Sequence, residues 1–221
     1  QERKKEIRSF MPRYGCINER KNQLHEVIRL SGMNIIINDV DRPLVIKVAS
    51  ISAARMQVYF IDNEDYFHRK SIYCDESGKF FEDNCERAIF FARGVLETVK
   101  KLRWAPDVIH CQGWISQILP LYLKKAYNDD PIFSNSKVVL SLYDDMPEVE
   151  FPADFKDKII FGGVTSEDVS VLEKSDGINL AKLAANWSDG IILGSENISP
   201  EIVKHCKELG LPMLEYNAEA I

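Results

Sequence analysis

The sequence lacks several features that mark common classes of protein. No apolar run approaches the ~18 residues that a membrane-spanning helix requires. The chain does not open with the charged, apolar and small-residue pattern of a secretory signal. Its 28 Lys and Arg against 34 Asp and Glu give a formal net charge of -6 at pH 7, without the concentrated positive charge that holds nucleic acid or anionic membranes. We therefore predict a cytoplasmic protein that binds neither nucleic acid nor membrane.

Motifs for metals and dinucleotides are missing as well. The five cysteines are scattered, and no two have the Cys-x-x-Cys spacing of zinc or redox sites. We therefore predict free thiols in a reducing compartment and no metal site. No Gly-x-Gly-x-x-Gly occurs, which makes an unrelated dinucleotide or nucleotide-sugar binder the weaker alternative. The residues imply no cofactor.

The secondary-structure pattern predicts an α/β protein. After residue 56, short β-branched runs alternate with helical segments, which is typical of a Rossmann-like, mainly parallel sheet covered by helices on both faces. We predict sheet strands near residues 7–11, 56–61, 107–110, 138–143, 190–194 and 212–216. The main predicted helices lie near 84–103 and 114–127, with shorter ones at 178–187 and 200–209. Short β-branched runs at 24–30, 33–37 and 44–51 predict an antiparallel hairpin element near the N-terminus. Residues 147–165 are predicted to form a loop or an insertion.

The most informative stretch is residues 104–127. A turn at Ala105-Pro106 precedes a short apolar run, which ends in His110, Gln112 and Gly113. Apolar residues with helical spacing follow. This pattern predicts a β-turn-α unit. Because open parallel sheets bind ligands at the carboxyl ends of their strands, the turn is a candidate binding site.

The same stretch carries a family resemblance. Residues 104–114 read Trp-Ala-Pro-Asp-Val-Ile-His-Cys-Gln-Gly-Trp, and a Pro-x-Tyr-Leu-Lys segment follows at 120–124. This order resembles the N-terminal domain of bacterial glycogen synthases and plant starch synthases, which are retaining glucosyltransferases with two facing Rossmann-like domains. Matches continue at 11–15, 59–69 and 83–93. The resemblance covers most of the chain from Ile7 to Ile202 and is weakest between Pro147 and Gly177.

The resemblance implies one half of a GT-B architecture, with residues 1–221 forming a single domain. By this interpretation the family's first strand and glycine-rich loop are missing upstream, and its C-terminal nucleotide-binding domain is missing too. The implied function is the acceptor-side half of a glucosyltransferase of α-1,4-glucan synthesis, for which ADP-glucose is the donor substrate. The implied partners are an α-glucan or maltooligosaccharide and a separate nucleotide-sugar-binding domain. A homo-oligomer remains open.

The chain departs from the family pattern at its site. Gln112 replaces the second histidine of the family's His-x-His-Asp-Trp segment, and Gly113 replaces its aspartate. Tyr143 and Asp144 stand where the family has a His-Asn pair. Glutamine forms hydrogen bonds but carries neither a proton nor a positive charge. We therefore predict that the isolated chain is inactive, and we assign no catalytic residue. The alternative is a non-catalytic glucan-binding or regulatory module that retained the fold.

The candidate ligand-binding residues lie at two predicted strand ends: His110, Gln112, Gly113, Trp114, Tyr143 and Asp144. Each has a purely structural interpretation beside the functional one. His110 is either a ligand contact or a hydrogen-bonded, half-buried histidine. The indole of Trp114 either stacks on a sugar or anchors the core, and the second is the commoner role.

Three further groups have alternatives of the same kind. The aromatic residues of segment 63–81 form either a carbohydrate platform or a cover over a sheet edge. Asp144 and Asp145, like Glu148 and Glu150, resemble paired carboxylates for acid/base chemistry or a metal site, but a solvated turn is the simpler interpretation. Cys111 follows His110 directly, and because adjacent strand residues point to opposite faces, we expect no thiol-imidazole pair.

Overall fold

Strands and helices alternate along the chain in the computed structural model, which describes residues 3 and 5–220. Their internal contacts divide them into two units, Gln1–Leu102 and Arg103–Ile221. Both units combine strands with helices, and both contain parallel strand pairs. The predicted α/β class is confirmed.

The first unit is built on a mixed sheet. Its strands, in chain order, are β1 (Arg8–Pro12), β2 (His25–Glu26), β3 (Asn34–Ile37), β4 (Val40–Pro43), β5 (Val45–Ile51) and β6 (Met56–Asp62). Four of them form a sheet in the order β1-β6-β5-β2, in which β1 and β6 are parallel and the other pairs are antiparallel. Strands β3 and β4 form a separate hairpin. The predicted antiparallel element is therefore present.

Two helices accompany this sheet, α1 (Glu64–Phe67) and α2 (Asn84–Leu102). Helix α2 packs against β1, β3 and β6. Its contact face consists of small and branched side chains that are almost inaccessible to solvent: Ala88, Ile89, Ala92, Val95, Leu96 and Val99. Burial of this apolar face is what holds the helix on the sheet, since each buried Ile, Val or Leu side chain contributes about 1.5 to 3 kcal/mol relative to exposure.

The second unit is built on a parallel sheet. Its strands are β7 (Val108–Gln112), β8 (Lys137–Leu142), β9 (Gly190–Leu193) and β10 (Met213–Leu214), in the spatial order β10-β9-β8-β7. Its α-helices are α3 (Leu119–Lys125), α4 (Phe155–Ile159), α5 (Gly177–Asn186) and α6 (Pro200–Glu208). Helix α5 packs on β8 and also contacts α3 and α6. Every strand pair of this sheet is parallel.

The six strands that we predicted for one sheet belong to two. Strands β1 and β6 lie in the first sheet, and β7 to β10 lie in the second. The periodicity of apolar residues is a property of each strand taken alone, so it identifies strands without showing which of them pair.

Three local predictions need correction. Residues 24–30 form only the short strand β2 and then a 3-10 turn at Ile28–Leu30, which buries Leu30. The helix predicted at 114–127 is split into a 3-10 turn, Trp114–Ser116, and helix α3. Pro120 explains the break, because proline has no N–H and fits only the first turn of a helix. The predicted loop at 147–165 contains helix α4.

The turn after β1 depends on the absence of a side chain at Gly15. A Cβ atom at this position would lie 1.8 Å from the carbonyl oxygen of Arg69. Because backbone rather than a flexible side chain occupies this space, the substitution Gly15→Ala requires one of the two segments to move. We expect a loss of about 2 to 3 kcal/mol in the free energy of unfolding, measured by urea denaturation.

The matched control is Gly78→Ala. Gly78 has a φ of 83° and no neighbour within 4 Å of the added Cβ, so this change carries only the cost of a left-handed backbone, about 1 kcal/mol. If Gly15→Ala lowers the free energy of unfolding less than Gly78→Ala does, the close approach of Gly15 to the Arg69 carbonyl oxygen is contradicted.

Candidate functional site

The predicted β-turn-α junction is present at the end of β7. Gly113 follows the strand with φ 77° and ψ 150°, a conformation that residues with a Cβ atom rarely adopt. The Ser116 hydroxyl donates to the carbonyl oxygens of Gln112 (3.0 Å) and Gly113 (2.8 Å). Glycine at 113 and serine at 116 therefore let the chain leave the strand and turn sharply into the 3-10 segment.

Hydrogen bonds link four polar side chains at the carboxyl ends of β7 and β8. The Tyr143 hydroxyl donates to Gln112 Oε1 at 3.5 Å. Gln112 Nε2 lies 3.3 Å from His110 Nδ1, and His110 Nε2 lies 2.6 Å from Ser141 Oγ. The structure therefore brings together three of the predicted residues, His110, Gln112 and Tyr143. We call this set, with Ser141, the polar chain.

The hydrogen bonds of the polar chain determine which nitrogen of the His110 ring carries the proton. Since the Gln112 amide nitrogen donates to Nδ1, the ring proton lies on Nε2 and is donated to Ser141 Oγ. Partial burial lowers the pKa of His110 below its ordinary value, so the imidazole is neutral at pH 7. Sequence reasoning missed Ser141. Its register opposite Gln112 in the parallel pairing is the signal that places it there.

The two adjacent aspartates after β8 have different surroundings. The backbone N–H of Trp114 donates to Asp145 Oδ2 at 3.3 Å. Burial raises the pKa of Asp145, and the hydrogen bond from Trp114 only partly counters this effect. Both aspartates are exposed to solvent, in agreement with the predicted solvated turn. Asp145 in addition caps the turn after β7.

Of the two roles considered for the Trp114 indole, stacking on a sugar or anchoring the core, the structure shows the second. Its side chain is 3% exposed, and its ring stacks on Phe151 with 6.1 Å between the centroids. The indole belongs to the core of the second unit, and the Trp114 backbone N–H is the group that bonds Asp145.

Tyr143 lies against the end of β9. Its ring atoms are the nearest neighbours of the position that a side chain at Gly194 would occupy. Gly194 N–H donates to the Leu142 carbonyl oxygen at 2.8 Å, so the ends of β8 and β9 are joined by backbone. The candidate crevice is therefore formed by three neighbouring strand ends. Sequence reasoning also missed Gly194.

Cys111 and His110 point to opposite faces of β7, as expected. The Cys111 side chain is 2% exposed, and burial raises the pKa of its thiol to about 12. The expectation of no thiol-imidazole pair is confirmed, and the thiol is chemically inert at neutral pH.

The aromatic residues of segment 63–81 form a packed cluster. Tyr66 and Phe67 are at most 1% exposed, and the Tyr73 hydroxyl hydrogen-bonds that of Tyr14 at 2.8 Å. The guanidinium of the buried Arg87 lies 5.1 Å from the centre of the Phe67 ring. Tyr66 and Phe67 therefore belong to the interior of the first unit, which favours the structural interpretation over a carbohydrate platform.

The carboxyl ends of β1 and β6 carry an ion-pair network in place of a crevice. Lys47 Nζ lies 2.9 Å from the buried Asp62 Oδ2 and 2.6 Å from Glu19 Oε1. Arg13 pairs with Glu19 at 2.9 Å. Burial raises the pKa of Glu19, but the hydrogen bonds from Arg13 and Lys47 outweigh it and hold this pKa below its usual value. These charges satisfy one another.

Two other kinds of site are absent from residues 3 and 5–220. Within this range, no three His, Cys, Asp or Glu side chains are placed to hold a metal ion. The described part of the chain also contains no helix with the length and apolarity needed to cross a bilayer.

The parallel sheet, with polar side chains at the carboxyl ends of its strands, is typical of an α/β protein of the Rossmann-like class. A family model described as the starch synthase catalytic domain matches residues 1–214. The chain therefore belongs to the starch synthase catalytic domain family.

Individual relatives agree with this assignment. The chain is 37% identical over 201 residues to a glycogen synthase of Chlorobium limicola, a match that covers 90% of the chain and 40% of the relative. It is 39% identical over 149 residues to the glycogen synthase of Chlorobaculum tepidum, covering 67% of the chain and 30% of the relative. The chain thus spans well under half the length of these relatives.

A solved structure shows the same fold. The catalytic domain of starch synthase IV from Arabidopsis thaliana, bound to ADP and acarbose, superposes with a TM-score of 0.70 at 14% sequence identity. The superposition covers 93% of this chain and 43% of the starch synthase chain. The predicted relationship to glycogen and starch synthases, and with it the GT-B type of fold, is confirmed.

The cap on the turn after β7 is testable by substitution. Asp145→Ala removes the acceptor for the Trp114 N–H, and we expect a loss of about 1 kcal/mol in the free energy of unfolding together with a shift of the Trp114 amide resonance. Asp145→Asn retains an acceptor oxygen and should restore most of the loss.

The control for this change is Asp144→Ala, one residue away and exposed. It should alter the free energy of unfolding by less than about 0.5 kcal/mol. Equal losses for the alanine variants at 144 and 145 would show that Asp145 does not cap the turn.

Proposed function

We propose that this chain is the acceptor-side half of a glycogen or starch synthase-type glucosyltransferase of α-1,4-glucan synthesis. In this proposal the end of an α-glucan or a maltooligosaccharide occupies the crevice lined by His110, Gln112, Gly113, Tyr143 and Asp144. The observation that carries the proposal is the polar chain at the carboxyl ends of β7 and β8. Family membership supports the substrate class, and the cytoplasm is the proposed location.

The chemistry of the crevice suits a neutral polyol. Gln112 offers both amide donors and a carbonyl acceptor, and Asp144 offers carboxylate acceptors to sugar hydroxyls. His110 is neutral at pH 7, because partial burial lowers its pKa. The ring of Tyr143 provides a face on which a pyranose can stack. The five lining residues and their partners Ser141 and Asp145 include two carboxylates but no lysine or arginine.

The same composition is unsuited to a nucleoside diphosphate. Transfer from ADP-glucose requires cationic groups that stabilise the diphosphate leaving group, and each lost contact of this kind costs about 3 kcal/mol of transition-state stabilisation. Gln112 supplies no charge where the resembled family has its second histidine. We therefore propose that the 221-residue chain does not transfer glucose by itself and that a separate nucleotide-sugar-binding domain is its partner. A homo-oligomer remains an open proposal.

A second candidate function is a glucan-binding or regulatory module without catalysis. The replacements Gln112, Gly113 and Tyr143 favour it, because they remove ionisable groups while they leave hydrogen-bonding and aromatic surface in place. The two candidates share the glucan site. They differ in whether a nucleotide-sugar-binding partner confers activity.

The first test is a titration of the chain with maltoheptaose, followed by backbone and side-chain amide NMR. We expect binding in the millimolar range, about -4 kcal/mol, with shifts at residues 110–114 and 143–145. Gln112→Ala should weaken binding, because it removes the central link of the polar chain. Lys204→Ala, a change of an exposed side chain on α6, serves as the control. Shifts confined to 66–81, or none, would exclude this crevice as the glucan site.

The second test measures transfer of radiolabelled glucose from ADP-glucose to glycogen. We expect no incorporation by the chain alone above a heat-killed control, since the crevice has no cationic group for the diphosphate. Addition of the C-terminal half of a related glycogen synthase separates the two candidate functions. Restored incorporation supports the acceptor-side half, and its absence supports the module without catalysis.

A further inference from the structure

We propose that Gly194 is a positioning residue of the glucan crevice, because its lack of a side chain lets the Tyr143 ring lie where it lines the site. The inference deepens the proposed function and rests on it for the identity of the ligand. It assigns to the residue directly after a third strand, β9, a part in glucan affinity that the sequence pattern around 110–114 does not reveal.

The close approach between Gly194 and Tyr143 carries the inference. A Cβ atom built on Gly194 would lie 2.4 Å from Tyr143 Cε1 and 2.9 Å from both Cδ1 and Cζ. Real Cβ atoms essentially never come within 3.0 Å of a neighbour, so any side chain at 194 must displace the ring. The space above Gly194 is therefore the space that the Tyr143 ring occupies.

The strand end itself cannot retreat from the ring at low cost. The Gly194 N–H donates to the Leu142 carbonyl oxygen at 2.8 Å, which ties the end of β9 to the residue directly before Tyr143. The backbone of Gly194 does not adopt a left-handed φ, so alanine is compatible with its conformation. Since the three nearest atoms all belong to one flexible side chain, the substitution moves that side chain and leaves the sheet intact.

Tyr143 contributes a hydroxyl hydrogen bond and an aromatic surface to the crevice, and displacement of its ring affects both. The Tyr143 hydroxyl is already at the limit of a hydrogen bond to Gln112, at 3.5 Å, so a small outward shift breaks this end of the polar chain. The ring is half-buried, with Gly194 beneath one part of it, and its remaining surface is what a sugar can contact. The absence of a side chain at Gly194 thus determines how far the Tyr143 ring lies from the strand ends.

The experiment is a double-mutant cycle on the 221-residue chain. Dissociation constants for maltoheptaose are measured for the wild type, Gly194→Ala, Tyr143→Ala and the double variant. We expect Gly194→Ala to weaken binding about fivefold, as the loss of one aromatic contact would. In the Tyr143→Ala background the same change should have no effect, because no ring remains to be displaced.

Gly190→Ala is the matched control. Gly190 lies four residues earlier, at the start of β9 and on the same face, and a Cβ there would meet only the Pro212 carbonyl oxygen at an ordinary 3.6 Å. This variant should bind maltoheptaose like the wild type. Thermal unfolding of all variants shows whether any loss of binding reflects a loss of fold.

The outcomes separate the positioning role from the function of the crevice. Wild-type affinity in Gly194→Ala, or an equal loss with and without Tyr143, overturns the inference. If the wild type binds no maltoheptaose, the proposed function and the effect on affinity both fail. The position of the ring is then read from the Tyr143 ring and Gln112 side-chain resonances without ligand. These must move in Gly194→Ala and not in Gly190→Ala, and unchanged resonances overturn the positioning role as well.

Discussion

The parallel register of β7 and β8 is the constraint on which the rest of the second unit depends. It pairs Cys111 with Leu140, and these side chains are buried together with Ile191 of β9. Because side chains alternate along a strand, the register that buries them also turns His110, Gln112 and Ser141 to the other face. A shift of one residue would exchange the two sets. The hydrophobic core and the polar chain are therefore two consequences of one pairing.

The two units use the carboxyl ends of their parallel strands in opposite ways. In the first unit, Lys47 joins Asp62 and Glu19 in a network whose charges compensate one another. A ligand at that edge would have to break ion pairs that are partly shielded from water, which is costly. In the second unit, the strand ends carry the neutral polar chain beside Asp144 and Asp145, and none of these residues is a lysine or an arginine. This difference supports the proposal of a polar, uncharged ligand for the second unit.

The comparison with starch synthase IV shows that a fold can be retained while most of its side chains change. A TM-score of 0.70 at 14% identity means that the two chains share a backbone while most side chains differ. A fold of this kind tolerates such divergence because its core needs apolar side chains of suitable volume rather than particular residues. Sites are less tolerant, since a hydrogen bond requires a donor and an acceptor in fixed positions. Residues such as Gln112 and Gly113 therefore carry more information about function than the fold does.

The sequence by itself determined the α/β class, the family, most of the strands and the β-turn-α unit at 107–114, because apolar periodicity and turn residues are local signals. It also determined that Cys111 and His110 diverge, which follows from strand geometry alone. Only the tertiary structure decided that the strands form two sheets, that Pro120 splits a predicted helix, and that Asp145 caps the turn after β7. The contacts of Ser141 with His110 and of Gly194 with Tyr143 were likewise beyond sequence reasoning. They join residues 31 and 51 positions apart, and such proximity arises only when strands pair and their ends come to lie side by side.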